Sequence, residues 1–356
     1  MSDLLLPSTF GSVVLNRTER GNPAEGIEYK SDNSLDYKSL LPAQCVVKLA
    51  YAPINPSDIN VLEGTYIRRP PALPATAGME GSGVIAFLPE NSNTECVDQY
   101  GSKLTVGDHV VGSPWNWGSW AEYAIVETNH LRIIPKSIDL KTGAMMCVNP
   151  PTAYGLLESA KEGDWVIQNA ANSGMGQAII QIAKARGIRT VNIVRREGLE
   201  QDLLDIGADI VVVYSGDNDF IEAAENVKEQ TGGAKIRLAI NAVCGRSGEL
   251  LAKCLAPGGV HLTYGVMSQR PMTVSGGQLL FKDITYKGWH LGKFQAQKEK
   301  FKDMWTWLID TVDKGKVTTS VIDTIYNLNQ AKEAVKHAHS SNRTGKVLFR
   351  CDKTLS

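Results

Sequence analysis

Three features that many sequences carry are missing or weak in this chain of 356 residues. No apolar run approaches the ~20 residues that span a bilayer, which argues against insertion into a membrane. The net charge is only −1, so nucleic acid is not expected as the main partner. The six cysteines are scattered and never form a C-x-x-C pair. Their spacing argues against a disulfide framework and for a reducing compartment.

The rest of the chain is organised around residues 165–197. An apolar run at 165–170 is typical of a buried parallel strand. A glycine-containing turn follows, then apolar residues at helical spacing up to Arg186, with Gly187 as the expected stop. Residues 189–194 alternate as a second strand does. This order predicts the βαβ unit that holds a dinucleotide.

The turn carries two of the three glycines of the G-x-G-x-x-G motif, and its third position holds Ile179, so the glycines alone are a weak signal. Gly174 permits a sharp turn, and Gly176 lets the backbone approach a pyrophosphate at the helix N-terminus. About 20 residues further on, where an NAD site carries an acid, stand Arg195 and Arg196. Two guanidinium groups suit a 2′-phosphate, which predicts NADPH rather than NADH. A solvated basic strand end is the alternative.

Composition along the chain predicts two domains and a returning segment. Residues 1–147 contain short β-rich runs separated by Pro, Gly and Asn, which predicts a small, partly closed β-rich domain. Residues 148–285 alternate strand and helix patterns, which predicts a doubly wound parallel sheet that binds the dinucleotide. Residues 286–356 hold an amphipathic helix from about residue 294 and a closing strand at 346–350. We expect this last segment to return to the N-terminal domain.

Several blocks carry a resemblance that covers almost the whole chain from about residue 45. They are INPSDIN (54–60), VNPPTAY (148–154), residues 166–181, RLAIN (237–241) and LTYGVM (262–267). With them the chain resembles the mitochondrial 2-enoyl thioester reductases, a zinc-free family of the medium-chain dehydrogenase/reductase superfamily. The resemblance implies an α/β fold, with a Rossmann-like doubly wound parallel sheet and a β-rich GroES-like catalytic domain. It also implies NADPH-dependent reduction of trans-2-enoyl thioesters of coenzyme A or acyl-carrier protein, as in fatty acid synthesis.

The residues expected of a zinc-dependent relative are replaced here. The resemblance places Gly-His-Glu of the zinc members at Gly78-Met79-Glu80, and their cysteine neighbourhood at residues 55–58, which contain no cysteine. A catalytic zinc needs converging Cys, His and sometimes Glu ligands. We therefore expect no metal, and we expect Glu80 to be a buried structural acid.

The same resemblance implies that Tyr66 is the catalytic residue. A phenol with a pKa near 10 is protonated at pH 7, as a proton donor must be. Tyr66 is expected to protonate Cα or to polarise the thioester oxygen while hydride reaches Cβ. The alternative is a half-buried tyrosine in a loop.

The remaining expected site residues are implied by position in the family pattern. The predicted cofactor contacts are Asn149, Asn172, Ser173, Gly174, Met175, Gly176, Arg195, Arg196, Glu197, Tyr264, Gly265, Val266, Met267, Trp289, His290, Leu291, Gly292 and Lys346. Two positions depart from the pattern. Met79 stands where related reductases usually have Asn, and His290 stands where they commonly have Trp.

The resemblance also implies partners and a location. It implies a homodimer joined through sheet edges, for which residues 237–243 and the strand after Pro271 are candidates. It implies a mitochondrial protein, with the cytoplasm as the alternative because no presequence is visible. Two other functions stay open: a zinc-free quinone or enone oxidoreductase, since Gly64-Thr65-Tyr66 also occurs in that class, and a catalytically inactive NADPH-binding protein.

Overall fold

The computed structural model describes residues 6–89, 96–112, 118–216, 220–340, 343 and 345–355. The chain divides into two compact units. One unit comprises Met1–Val148 and Thr319–Ser356, and the other comprises Asn149–Thr318. The second unit therefore extends 33 residues beyond the boundary predicted at residue 285.

The N-terminal part of the first unit consists mainly of strands, as its short β-rich runs predicted. Its elements are β1 (Thr9–Leu15), β2 (Ile27–Ser34), β3 (Gln44–Pro53), α1 (Pro56–Leu62), β4 (Ala75–Thr76), β5 (Ser82–Phe87), β6 (His109–Gly112), β7 (Tyr123–Glu127), β8 (Leu131–Ile133) and α2 (Leu140–Gly143). Short 3₁₀ helices cover Pro23–Gly26 and Thr128–His130. Helix α1 begins with a proline. Proline has no backbone N–H, and the first turn of a helix tolerates this because its N–H groups have no partner within the helix.

The second unit alternates helices and strands, which confirms the α/β fold class. Its elements are α3 (Asn149–Leu156), β9 (Trp165–Gln168), α4 (Gly174–Ala185), β10 (Arg189–Val194), α5 (Glu200–Asp205), β11 (Ile210–Val213), α6 (Phe220–Gln230), β12 (Ile236–Asn241), α7 (Gly245–Cys254), β13 (Val260–Thr263), α8 (Gly276–Lys282), β14 (Thr285–Gly288), α9 (Leu291–Gln295) and α10 (Lys298–Asp313). In the described residues no helix is long and apolar enough to cross a membrane.

The strands of the second unit form one parallel sheet in the order β11-β10-β9-β12-β13-β14. The chain moves outward from β9 through β10 and β11 and then returns to β12 on the other side of β9. The point where strand order reverses is where open α/β sheets bind ligands. Strand β12 is interior, so the candidate dimer edge at residues 237–243 is wrong. Strand β14 lies at the edge of the sheet.

The chain then returns to the first unit through β15 (Ile322–Asn327), a 3₁₀ turn at Leu328–Gln330, α11 (Ala331–His339) and β16 (Lys346–Arg350). Strand β16 pairs with β15 and β3, in the sheet order β15-β16-β3-β5-β6-β8, where β7 also pairs with β3. Strands β2, β1 and β4 form a smaller sheet.

Helices α9 and α10 explain why the return starts later than predicted. The ring of Tyr154 in α3 lies 6.4 Å from that of Phe294 in α9 and 5.2 Å from that of Trp307 in α10. These contacts hold residues 291–313 to the second unit. The single helix predicted from about residue 294 is two helices, separated at residues 296–297.

Candidate active site

Four of the predicted cofactor segments follow four strands of the parallel sheet. The glycine turn follows β9, the arginine pair follows β10, residues 264–267 follow β13, and residues 289–292 follow β14. Parallel strands have their carboxyl ends at the same edge of a sheet. The structure thus brings these segments to one edge of the second unit, where an α/β fold binds its ligand.

The glycine turn packs tightly against the start of α4. Ser173 begins α4, and its Oγ accepts the Gly176 N–H at 3.1 Å. Nε2 of Gln168 donates to the Gly176 carbonyl at 3.0 Å. A Cβ on Gly176 would lie 2.5 Å from the Ala171 carbonyl oxygen. Only glycine fits this first turn, whose N–H groups suit a pyrophosphate.

We expect Gly176→Ala to weaken NADPH binding at least ~10-fold and to destabilise the protein by about 1–3 kcal/mol, because its methyl group forces the turn open. Fluorescence titration with NADPH and a thermal melt measure the two effects. Gly276→Ala is the matched control, since an added Cβ there meets no atom within 4 Å. Equal NADPH affinity of both variants would contradict this account of the turn.

Arg195, Arg196 and Glu197 form the exposed segment directly after β10. An exposed position leaves each guanidinium accessible to an anion in solvent. The glycine turn, the α4 N-terminus and this basic pair lie after adjacent strands, β9 and β10. These residues fit a dinucleotide whose ribose carries a 2′-phosphate.

The predicted nicotinamide segments, 264–267 and 289–292, follow strands on the β12 side of β9, across the point where the strand order reverses. The Trp289 N–H donates to the Thr263 carbonyl at 2.9 Å, which places the segments after β13 and β14 side by side. Nδ1 of His290 accepts the Gly292 N–H at 3.1 Å and caps α9. The imidazole at this departure from the family pattern therefore has a structural role. Asn149 opens α3 in the same unit.

Two buried asparagines between β9 and β12, where the strand order reverses, were not predicted as site residues. Nδ2 of Asn169, directly after β9, donates to Oδ1 of Asn241, the last residue of β12, at 2.9 Å. Oδ1 of Asn169 accepts the Ala242 N–H at 2.8 Å. The pair joins the carboxyl ends of β9 and β12. The sequence feature that could have identified them is an amide residue at the end of an apolar strand.

Tyr66 belongs to the first unit, directly after α1. Its backbone N–H donates to the Asn60 carbonyl at 3.1 Å, so the loop is tied to the end of the helix. The side chain is half-buried. Removal from water, assisted by the charge of Asp58 and opposed by that of Arg68, raises the pKa of Tyr66 to about 12. The phenol therefore remains a proton donor throughout the physiological pH range.

A buried polar cluster surrounds the N-terminus of α1. Lys346 Nζ donates to Asn55 Oδ1 at 2.5 Å, and Asn55 Nδ2 donates to Glu80 Oε2 at 2.8 Å. The Asn55 N–H donates to Asp58 Oδ2 at 2.7 Å. Burial lowers the pKa of Lys346 to about 8 and raises that of Asp58 to about 7. Lys346 is only 7% exposed, so the structure places this predicted cofactor residue within the cluster.

The residues around Glu80 do not offer a zinc ligand set. Oε1 of Glu80 accepts the N–H groups of Cys147 and Val148 at 2.7 and 2.8 Å. Burial raises the pKa of the Cys147 thiol to about 12, which disfavours the thiolate that zinc requires. Met79 is part of the core. Within the described ranges no group of three or more His, Cys, Asp or Glu could hold a metal ion. Glu80 is buried and structural, as predicted.

Two family models match the chain. Residues 41–136 match the alcohol dehydrogenase GroES-like domain, and residues 174–310 match the zinc-binding dehydrogenase domain. The mitochondrial enoyl-[acyl-carrier-protein] reductase of Caenorhabditis elegans is 37% identical over 306 residues, which cover 83% of each protein. This chain belongs to the enoyl-[acyl-carrier-protein] reductase family. The prediction of the 2-enoyl thioester reductase family is thereby confirmed.

Solved structures agree with this membership of the enoyl-[acyl-carrier-protein] reductase family. The complex of Etr1p with NADP and crotonyl-CoA matches with a TM-score of 0.83 at 27% identity, over 96% of this chain and 99% of that one. The mitochondrial 2-enoyl thioester reductase Etr1p/Etr2p heterodimer of Candida tropicalis matches with a TM-score of 0.83 at 28% identity and the same coverage. A mycobacterial quinone oxidoreductase matches at 22% identity with a TM-score of 0.79, which shows the fold alone.

Proposed function

We propose that this protein reduces trans-2-enoyl thioesters to saturated acyl thioesters with NADPH. The observation that carries the proposal is Tyr66, a half-buried phenol tied to α1 and kept protonated, in a member of the enoyl-[acyl-carrier-protein] reductase family. Bound NADPH supplies a hydride for Cβ of the substrate. Tyr66 is the proton donor that completes the addition at Cα.

The second unit holds the cofactor in this proposal. The N–H groups at the start of α4 bind the pyrophosphate, with Asn172, Ser173 and Met175 around the turn. Arg195 and Arg196 bind the 2′-phosphate, beside Glu197. The segments 264–267 and 289–292 and Asn149 line the nicotinamide side. For Lys346 we propose a cofactor contact as well, made from the buried cluster of the first unit.

The test follows the loss of nicotinamide absorbance with purified protein, NADPH and trans-2-hexenoyl-CoA. The proposal requires NADPH oxidation with formation of hexanoyl-CoA. Turnover of small quinones without turnover of the enoyl thioester would select a quinone or enone oxidoreductase. Tight NADPH binding with no turnover of either acceptor would select an inactive binding protein.

We propose a homodimer that forms through β14. The outer edge of this strand has no partner strand in the described part of the chain, and an unpaired edge is a template for another chain. The preceding helix α8 has no buried residue, and its Leu280 and Phe281 are 76% and 81% exposed. Exposed apolar side chains beside an open sheet edge suit a second copy of this chain.

We expect light scattering to give about 77 kDa, twice the 38.7 kDa of one chain. Phe281→Asp should shift the protein toward the monomer, because the carboxylate must lose its hydration in the interface. Val106→Asp, at a 58% exposed position of the first unit, is the control and should leave the mass unchanged. A wild-type monomer at micromolar concentration would refute the dimer.

We further propose a mitochondrial location, supported by relatives that carry the name mitochondrial. Fractionation of cells that express the full-length protein tests it. Recovery in the cytoplasm alone would favour the alternative.

A further inference from the structure

The segment directly after Tyr66 exposes an unusual side chain. Ile67 is 84% exposed, more than any other large hydrophobic residue that the structure describes. Leu73, on the same segment, is also exposed. A single exposed isoleucine is ordinary on a protein surface. This one adjoins the candidate proton donor, where the thioester must approach.

Backbone contacts fix the position of Ile67. The N–H groups of Thr65 and Tyr66 both donate to the Asn60 carbonyl, at 2.8 and 3.1 Å. On the other side of Ile67, Arg69 Nε donates to the Tyr66 carbonyl at 3.4 Å. Pro70 and Pro71 follow and restrict the backbone. A segment held in this way loses little conformational entropy when a partner covers it.

The charged residues on the segment that carries Ile67 are both arginines. Residues 65–79 contain Arg68 and Arg69 but no acid, whereas the whole chain has a net charge of −1. Both arginines are exposed. The charge of Arg68 also lowers the pKa of Tyr66, against the larger effect of burial. The two arginines therefore place positive charge directly beside the exposed isoleucine.

We propose that Ile67, Arg68 and Arg69 form a docking surface for the acyl carrier protein. This inference rests on the function proposed above and names the carrier of its substrate. Such carriers are small acidic proteins that present the phosphopantetheine arm from a helix. Arginines suit acidic motifs, and an apolar anchor surrounded by charge is typical of a protein interface. Coenzyme A carries the same phosphopantetheine arm but brings no protein surface that could cover Ile67.

The test compares one acyl group on two carriers. We expect Ile67→Asp to lower kcat/KM for trans-2-hexenoyl-acyl-carrier protein ~10-fold or more, through KM, since it removes an anchor and repels an acidic helix. With trans-2-hexenoyl-CoA, kcat/KM should change less than about twofold. Apo-carrier protein without the pantetheine arm should inhibit the carrier-linked reaction of the wild type and inhibit Ile67→Asp more weakly. Val106→Asp is the exposed control for an added charge.

Each other outcome overturns the inference. Equal losses with both carriers would assign Ile67 to the thioester site itself, and unchanged kinetics with the carrier protein would remove it from any interface. A change in oligomeric mass of Ile67→Asp would mean that a second copy of this chain covers Ile67. A wild type that turns over neither thioester would instead refute the proposed function.

Discussion

Replacement of Tyr66 by phenylalanine should reduce kcat by a factor of ~10²–10⁴ while KM for the enoyl thioester changes only a few-fold. The variant keeps the ring and its packing and loses only the hydroxyl group. A proton that Tyr66 delivers in the transition state must then come from water, whose position the protein does not control. Steady-state kinetics with trans-2-hexenoyl-CoA at saturating NADPH measures both constants.

A second tyrosine of the same unit gives the matched control. Tyr100 is also half-buried, and burial raises its pKa, so Tyr100→Phe removes a comparable hydroxyl from a ring that packs against Arg132. We expect its kcat to stay within about twofold of the wild type. NADPH affinity should be unchanged in Tyr66→Phe, which separates loss of chemistry from loss of fold. A Tyr66→Phe enzyme with a third of the wild-type kcat would mean that another group supplies the proton.

The pKa of Tyr66 also determines how the rate depends on pH. The phenol is the acid below its pKa, and burial with the charge of Asp58 raises this pKa to about 12. Activity that depends on the acid form of Tyr66 should therefore show no basic limb up to about pH 10. The same burial that makes Tyr66 a weak acid keeps the proton available until negative charge develops at Cα.

Apolar runs predicted strands that are buried along most of their length. Strands β10 and β16 have the bounds that the sequence predicted, because a buried strand leaves little freedom in register. Helix α8 was missed, since none of its residues is buried and it therefore has no apolar face to detect. The boundary near residue 286 was misplaced because contacts of Tyr154 with two later helices are not visible in local sequence.

The residues of the candidate site also divide into those that local sequence could predict and those that it could not. The places of the glycine turn after β9 and of Arg195-Arg196 after β10 were predictable, because each residue type stands at a known distance from a strand. Burial of Lys346 was not, since lysines are seldom buried and its partners, Asn55 and Glu80, lie far away in sequence. Family resemblance located Lys346, and only the three-dimensional structure gives it neighbours.

Replacement of both Arg195 and Arg196 by alanine should lower kcat/KM for NADPH by about 10²-fold and leave that for NADH within about twofold. Each hydrogen bond to a charged group contributes about 1.5–3 kcal/mol, and the lower end applies because both arginines are exposed to screening solvent. The loss should appear in KM, since the 2′-phosphate is bound equally in the ground and transition states. Steady-state kinetics with each cofactor measures the change in preference.

The control and the salt dependence distinguish phosphate recognition from general loss of positive charge. Arg237 is an exposed arginine at the amino end of β12, the opposite edge of the sheet from the carboxyl ends, so Arg237→Ala should preserve the preference for NADPH. The preference of the wild type should decrease as ionic strength rises, whereas that of the double variant should not. A double variant that still prefers NADPH as strongly as the wild type would refute this assignment. The 2′-phosphate would then have to be bound elsewhere, because Arg195 and Arg196 are the only arginines between β10 and β11.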